Sequence, residues 1–156
     1  MKNALLAALL PLLLSTAPSH AAGQATDGAK PLATIPSLDV KRYVGTWYEI
    51  AKFPNEFQKK CAGFTTATYG LRDDGRVDVV NRCRRADGST DTAEGVARQL
   101  GGPASPKLEV RFAPAIVSWL PVVWGDYWVI DLDQDYQLAA VSEPKREYLW
   151  ILSRTP

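Results

Sequence analysis

Few residues in this chain of 156 amino acids have side chains suited to nucleophilic, acid–base or metal chemistry. The chain contains one histidine, His20, and two cysteines, Cys61 and Cys83. Ser-His-Asp and Cys-His catalysis, and zinc or haem held by histidine, all require an imidazole within the folded domain. The position of His20 near the amino terminus therefore decides which of these chemistries remain open.

Residues 1–21 have the pattern of a secretion signal. Lys2 supplies a positive start, residues 4–14 are almost entirely apolar, and Ser19-His20-Ala21 places small residues before a cleavage site. A membrane-spanning helix needs about 20 apolar residues. Because this run is shorter, we expect cleavage after Ala21, with an uncleaved anchor as the alternative.

Cleavage would leave a mature chain without histidine, which argues against the catalytic and metal sites named above. We therefore expect no enzymatic activity, no metal and no cofactor. Cleavage also removes one basic residue, Lys2, and no acidic residue, so that the formal charge falls from +1 to zero. Such a chain lacks the basic surface of a nucleic-acid-binding protein. No cysteine follows the cleavage site for lipid attachment, so we expect export to the periplasm and leave outer-membrane association open.

Cys61 and Cys83 are expected to form a disulfide in an oxidising compartment, with two unpaired thiols as the alternative. The chain-entropy model assigns roughly 3 kcal/mol of stabilisation to a loop of this length. Cys61 lies farther from the turn at Asp74-Gly75 than Cys83 does. A regular hairpin would not place them opposite each other, so the bond requires a β-bulge or a folded-back loop.

The rest of the chain has the pattern of short β-strands separated by Gly, Pro and Asp turns. The predicted strands are residues 47–53, 64–71, 76–81, 92–99, 108–112, 127–131, 136–141 and 148–152. Eight antiparallel strands with short connections favour a closed up-and-down β-barrel, with a β-sandwich as the alternative. We predict a flexible leader over residues 22–37, a short helix over 40–43 and a barrel domain over 38–156.

Three motifs occur at the ends of these strands. Gly45-Thr46-Trp47 begins the first strand, Asp133 and Tyr136 lie in the turn before the seventh, and Arg154 follows the last. In this order they resemble the lipocalin signatures, which are Gly-x-Trp, Thr-Asp-x-x-x-Tyr and a terminal Arg. Leu132 stands where the second signature has threonine. The resemblance covers residues 38–156.

The resemblance implies a barrel closed at one end by Arg154 lying over the ring of Trp47, a cation–π contact worth about 0.5–2 kcal/mol. It also implies that the protein binds, stores or transports a small hydrophobic ligand, a fatty acid or a lysophospholipid, in the cell envelope. Such proteins usually carry a helix after the arginine. This sequence stops at Pro156, so we expect no C-terminal helix.

Strand alternation, starting from an inward-facing Trp47, predicts the side chains that line the barrel. It also points Val77, Leu152 and the carboxylate of Asp131 inward. The predicted ligand-binding residues are Ala67, Tyr69, Val79, Asn81, Leu108, Val110, Phe112, Trp119, Tyr127, Val129, Ala139, Val141 and Trp150.

Residues 114–124 contain no charge and two tryptophans. This segment either folds inward and plugs the barrel or forms an apolar lip that contacts a membrane surface. Three functions remain open at this point. The favoured one is a lipid carrier, and the others are an enzyme that uses Asp131 and an envelope interaction protein with a filled barrel. The sequence leaves the oligomeric state undetermined.

Overall fold

The computed structural model describes residues 30–156, so the predicted signal peptide and residues 22–29 of the leader lie outside the described residues. Eight antiparallel strands form a closed barrel in which each strand pairs with its neighbours in sequence. The first strand also pairs with the last, with Tyr48 opposite Ser153. This closure confirms the predicted up-and-down barrel and rules out the sandwich.

The described residues form one short α-helix, eight strands and three 3-10 turns. The helix is α1 (Val40–Tyr43), and the strands are β1 (Gly45–Lys52), β2 (Cys61–Leu71), β3 (Val77–Arg85), β4 (Thr90–Gln99), β5 (Lys107–Arg111), β6 (Gly125–Leu132), β7 (Leu138–Ser142) and β8 (Leu149–Ser153). The 3-10 turns are Glu56–Gln58, Ala115–Val117 and Pro121–Val123. Within the described part of the chain, no helix is long and apolar enough to cross a membrane.

Helix α1 and the residues before it cover one end of the barrel. The carboxylate of Asp39 accepts a hydrogen bond from the Lys41 amide at 2.9 Å and so caps the helix. Leu38 is buried, and the amide of Ile35 donates to the Val129 carbonyl at 3.2 Å. The end of the predicted leader is therefore attached to the barrel.

The predicted disulfide is present, and it depends on irregular pairing between β2 and β3. The pairing register shifts on both sides of Gly63, which absorbs the unequal distances of the two cysteines from the hairpin turn. Cys61 and Cys83 then lie with their Cα atoms 5.6 Å apart and their sulfurs bonded. The bulge that the spacing requires therefore forms in the longer strand.

The prediction that Asp131 points into the barrel is wrong. The register between β6 and β7 shifts between Val129 and Asp131, and such a bulge reverses the alternation of every later side chain. Asp131 is exposed, and its carboxylate accepts a hydrogen bond from the Leu132 amide. The carboxylate on which the enzyme alternative depended therefore lies outside the barrel.

Candidate functional site

A cavity of about 510 Å³ extends through the barrel from α1 to the opposite, open end. This open end, here called the mouth, is formed by the β1–β2, β3–β4, β5–β6 and β7–β8 connections. The lining is mainly aliphatic and aromatic. Volumes of this size are typical of sites that enclose one small molecule.

Strand alternation correctly placed most of the predicted residues on the cavity wall. The predicted residues that line the cavity are Ala67, Tyr69, Val79, Asn81, Leu108, Val110, Phe112, Tyr127 and Trp150, together with Val77 and Leu152. Among them, Asn81 has a buried side-chain oxygen with no hydrogen-bond partner among the described residues.

Three predicted ligand-binding residues are buried but do not line the cavity: Val129, Ala139 and Val141. Val129 lies opposite Val141 in the β6–β7 pair, and Ala139 lies opposite Leu152 in the β7–β8 pair. These inward side chains fill their side of the barrel, so none of the described β7 residues reaches the cavity. Strand alternation therefore correctly predicts that these three side chains are buried, but it does not predict whether they reach the cavity.

Trp119, the remaining predicted ligand-binding residue, does not line the cavity, and its side chain is 77% exposed on the segment 114–124. Ile116 and Val122 of the same segment are exposed as well. Trp124 attaches the segment to β4, because the guanidinium carbon of Arg98 lies 4.2 Å from the centroid of the Trp124 ring. The segment therefore forms a lip beside the mouth, with Val122 and Trp124 reaching the cavity, and does not plug the barrel.

Glu49 lines the cavity as well, although it is not among the predicted residues. It follows Trp47 by two positions in β1, so the same alternation predicts that it faces inward. Its carboxylate accepts hydrogen bonds from the ammonium of Lys52 at 2.9 Å and from the Gln58 amide at 2.5 Å. Gln58 in turn accepts from the indole N–H of Trp150 at 3.2 Å. The carboxylate is thus paired, and the network links the β1–β2 loop to β8.

Three tyrosines meet at the end of the cavity next to α1. The hydroxyl of Tyr127 lies 2.8 Å from that of Tyr43 and 3.0 Å from that of Tyr69. Burial raises the pKa of Tyr69 to about 12 and raises the pKa values of Tyr43 and Tyr127 well above their usual range. The three phenols are therefore neutral at physiological pH. Tyr43 was missed because it lies in α1, where strand alternation gives no information.

Below these tyrosines, Arg154 and Trp47 close the barrel. The guanidinium carbon of Arg154 lies 3.9 Å from the centroid of the Trp47 ring, and the guanidinium donates to the carbonyls of Thr46 and Val44 at 3.0 and 2.9 Å. Gly45 has φ +100°, and a Cβ there would lie 3.1 Å from Arg154 Nη1. Glycine is therefore required, because a side chain would strain the backbone and crowd the arginine.

The second motif holds the β6–β7 turn against α1. The carboxylate of Asp133 accepts from the amides of Gln137 and Leu138, both at 2.6 Å, and these backbone hydrogen bonds, with that of Leu138 foremost, lower the pKa of Asp133. The hydroxyl of Tyr136 accepts from the Asp39 amide at 3.1 Å. These residues, like Trp47 and Arg154, lie at the closed end.

The described residues contain no group of three or more histidine, cysteine, aspartate or glutamate side chains arranged to hold a metal ion. The arrangement of the cavity is that of an apolar binding site with neutral hydroxyls at the base. Two carboxylates also line it, and both are paired, Glu49 with Lys52 and Asp91 with Arg85.

The chain is similar in sequence to a known family model and to several known proteins. The family model for a lipocalin-like domain matches residues 38–156. Temperature-induced lipocalin-1 of Arabidopsis thaliana is 44% identical over 128 residues, which cover 81% of this chain and 68% of that protein. The outer membrane lipoprotein Blc of Escherichia coli K12 is 43% identical over 126 residues, covering 80% and 67%. Rat apolipoprotein D is 34% identical, covering 77% and 62%.

Two solved structures show a similar fold at low sequence identity. The cockroach allergen Per a 4 superposes with a TM-score of 0.53 at 21% identity, covering 74% of this chain and 68% of that one. The tryptamine complex of the amine-binding protein of Rhodnius prolixus superposes with a TM-score of 0.53 at 16% identity, covering 81% and 70%.

Proposed function

The chain belongs to the lipocalin family, and on this premise we propose that it binds and carries one fatty acid or lysophospholipid in the cell envelope without catalysing a reaction. The family relationship supports the binding of small hydrophobic ligands in general. The choice of an acyl ligand rests on the shape and lining of the cavity in this chain.

The observation that carries the proposal is the cavity of about 510 Å³, open at the mouth and lined mainly by apolar side chains. Transfer of apolar surface from water into such a cavity is favourable by about 25 cal/mol per Å². An elongated apolar chain therefore gains free energy along the whole depth of the barrel, and no reaction is needed to explain the site.

The polar groups of the site give little support to the enzyme alternative. Asp131 faces solvent. The two carboxylates that line the cavity are paired, Glu49 with Lys52 and Asp91 with Arg85. A general acid or base must reach the reacting atoms of its substrate, which Asp131 does not. The carrier function is therefore favoured over catalysis.

We place this function in the periplasm, after cleavage of the predicted signal at Ala21. The disulfide between Cys61 and Cys83 supports an oxidising compartment. The relatives named as outer membrane lipoproteins support a location in the cell envelope.

We also propose that the lip over residues 114–124 contacts a membrane surface while a ligand enters. Its exposed side chains Ile116, Trp119 and Val122 are of the kind that inserts among lipid headgroups. Val122 also lines the cavity, so the exposed lip and the cavity form one continuous apolar surface.

Native mass spectrometry of the purified protein, after incubation with an envelope lipid extract, tests the carrier function. We expect one lipid per chain in the wild type and loss of that lipid in Ala97→Phe, since Ala97 lines the cavity. Thr92→Phe is the control, because Thr92 is an exposed residue of the same strand. A wild-type protein that retains no lipid at micromolar concentration contradicts the proposal.

A further inference from the structure

The three tyrosines at the cavity base hold more hydrogen-bond donors than they use. Each phenol has one O–H proton and two acceptor lone pairs. The two contacts, from Tyr127 to Tyr43 and from Tyr127 to Tyr69, use two of the three protons. Whichever way these bonds point, one O–H remains without an acceptor among the described residues.

Any of the three residues that can carry this donor belongs to the cavity wall. Tyr43, Tyr69 and Tyr127 all line it, and their rings are fixed by mutual packing. The rings of Tyr43 and Tyr69 are stacked with centroids 5.7 Å apart, and the Tyr127 ring meets that of Tyr69 edge-on at 6.1 Å. The hydroxyls are therefore held in place before a ligand arrives, which reduces the entropy lost when one binds.

None of the described residues that line the closed end of the cavity carries a positive charge. Arg154 stacks on the opposite side of the floor, over Trp47, and its guanidinium donates to the carbonyls of Thr46, Val44 and Arg42. A buried anion without a paired cation is strongly unfavourable. A neutral oxygen that accepts one hydrogen bond matches this environment better than a carboxylate does.

We propose that the tyrosine cluster Tyr43–Tyr69–Tyr127 is a specificity site that selects ligands with a neutral carbonyl or hydroxyl oxygen at the end that enters the barrel first. This inference rests on the proposed carrier function and narrows its ligand class. A saturated acyl tail would leave the remaining O–H without a protein or ligand partner. An acyl chain with an oxo or hydroxyl group near its far end would pair with it, while its headgroup stays at the mouth.

Dodecan-2-one and dodecane form a matched pair of probes, because they have equal carbon numbers and only the ketone accepts a hydrogen bond. Their affinities are measured by displacement of N-phenyl-1-naphthylamine fluorescence from the wild type and from the triple variant Tyr43→Phe/Tyr69→Phe/Tyr127→Phe. Removing all three hydroxyls together leaves no buried polar group unpaired, so the triple variant is expected to fold. Tyr148→Phe, outside the cavity lining, is the control.

We expect the triple variant to lose about fivefold in affinity for the ketone relative to dodecane, and Tyr148→Phe to keep the wild-type ratio. Tyr127→Phe alone should keep or raise the preference for the ketone, because it frees the hydroxyls of both Tyr43 and Tyr69. The infrared carbonyl stretch of the bound ketone should lie at lower wavenumber in the wild type than in the triple variant.

An unchanged ratio in the triple variant, with both probes bound, overturns the inference and leaves the carrier function intact. An unchanged carbonyl stretch overturns it in the same way. A wild-type protein that binds neither probe overturns the carrier function and the inference with it.

Discussion

Arg154 lies over the indole ring of Trp47 at 3.9 Å, and the indole N–H of Trp47 donates to the Tyr43 carbonyl at 2.8 Å. The last strand, the first strand and α1 are therefore joined at one point. Because this point lies beneath the tyrosine cluster, it supports the cavity without forming its wall.

Trp47→Ala should lower stability far more than it lowers ligand affinity. Trp47 is fully buried, and removing a core tryptophan side chain costs about 3–5 kcal/mol. Urea unfolding gives the stability, and probe displacement at low temperature gives the affinity of the folded fraction. Trp119→Ala, at an exposed position, is the control and should change stability by less than about 0.5 kcal/mol. A larger loss of affinity than of stability contradicts the structural role of Trp47.

Replacement of both cysteines by serine should destabilise the barrel by about 2–4 kcal/mol. The bond between Cys61 and Cys83 restrains the unfolded chain and fixes the bulged start of β2 next to β3. Urea unfolding of the variant should match that of the reduced wild type. Equal stability of the oxidised and reduced wild type would argue against this contribution.

Alkaline pH should destabilise the wild type through its tyrosine cluster. An unfolded tyrosine ionises near pH 10, whereas the folded pKa of Tyr69 is about 12 and those of Tyr43 and Tyr127 are also raised. Their contribution is complete below pH 10 and is lost as the pH rises towards the folded pKa values. For Tyr69 this loss is roughly 1 kcal/mol between pH 10 and 11.

Urea midpoints between pH 8 and 11.5 test this linkage. The wild type should lose stability above pH 10 more steeply than the triple phenylalanine variant, and absorbance at 295 nm should show late ionisation in the wild type alone. Parallel profiles for the two proteins would contradict the assignment.

The lip should control membrane contact without affecting the fold. Trp119→Ser with Val122→Ser removes two exposed apolar side chains and should reduce co-sedimentation with phosphatidylethanolamine–phosphatidylglycerol vesicles several-fold. Leu138→Ser, an exposed apolar residue at the closed end, is the control and should bind like the wild type. Equal binding by all three proteins rules out the lip as the contact.

Sequence alternation predicted the cavity wall well wherever pairing is regular. Ala67 and Asn81 lie opposite each other in an uninterrupted part of the β2–β3 pair, and both line the cavity. The same argument failed at Asp131, because a bulge is a property of two paired strands and the pattern of one strand does not contain it.

Two other features of the cavity could be predicted only from the way in which the strands and the helix pack together. Val141 is buried as predicted but does not line the cavity, so alternation cannot tell a filled side of the barrel from an open one. Tyr43 reaches the cavity from α1, and its place depends on how the helix packs on the barrel. Glu49 is different, because strand alternation starting from Trp47 is enough to predict that it faces inward.

Ala67→Trp tests whether the cavity itself holds the acyl ligand. Ala67 lies on the cavity wall opposite Trp47 in the β1–β2 pair, so an indole there would occupy the space of the ligand. Calorimetric titration with hexadecanoic acid should give one site per chain in the wild type and in Thr92→Trp, and at least about tenfold weaker binding in Ala67→Trp with its fold intact. Equal affinity in Ala67→Trp and the wild type, or no binding by the wild type, would contradict ligand binding in the cavity.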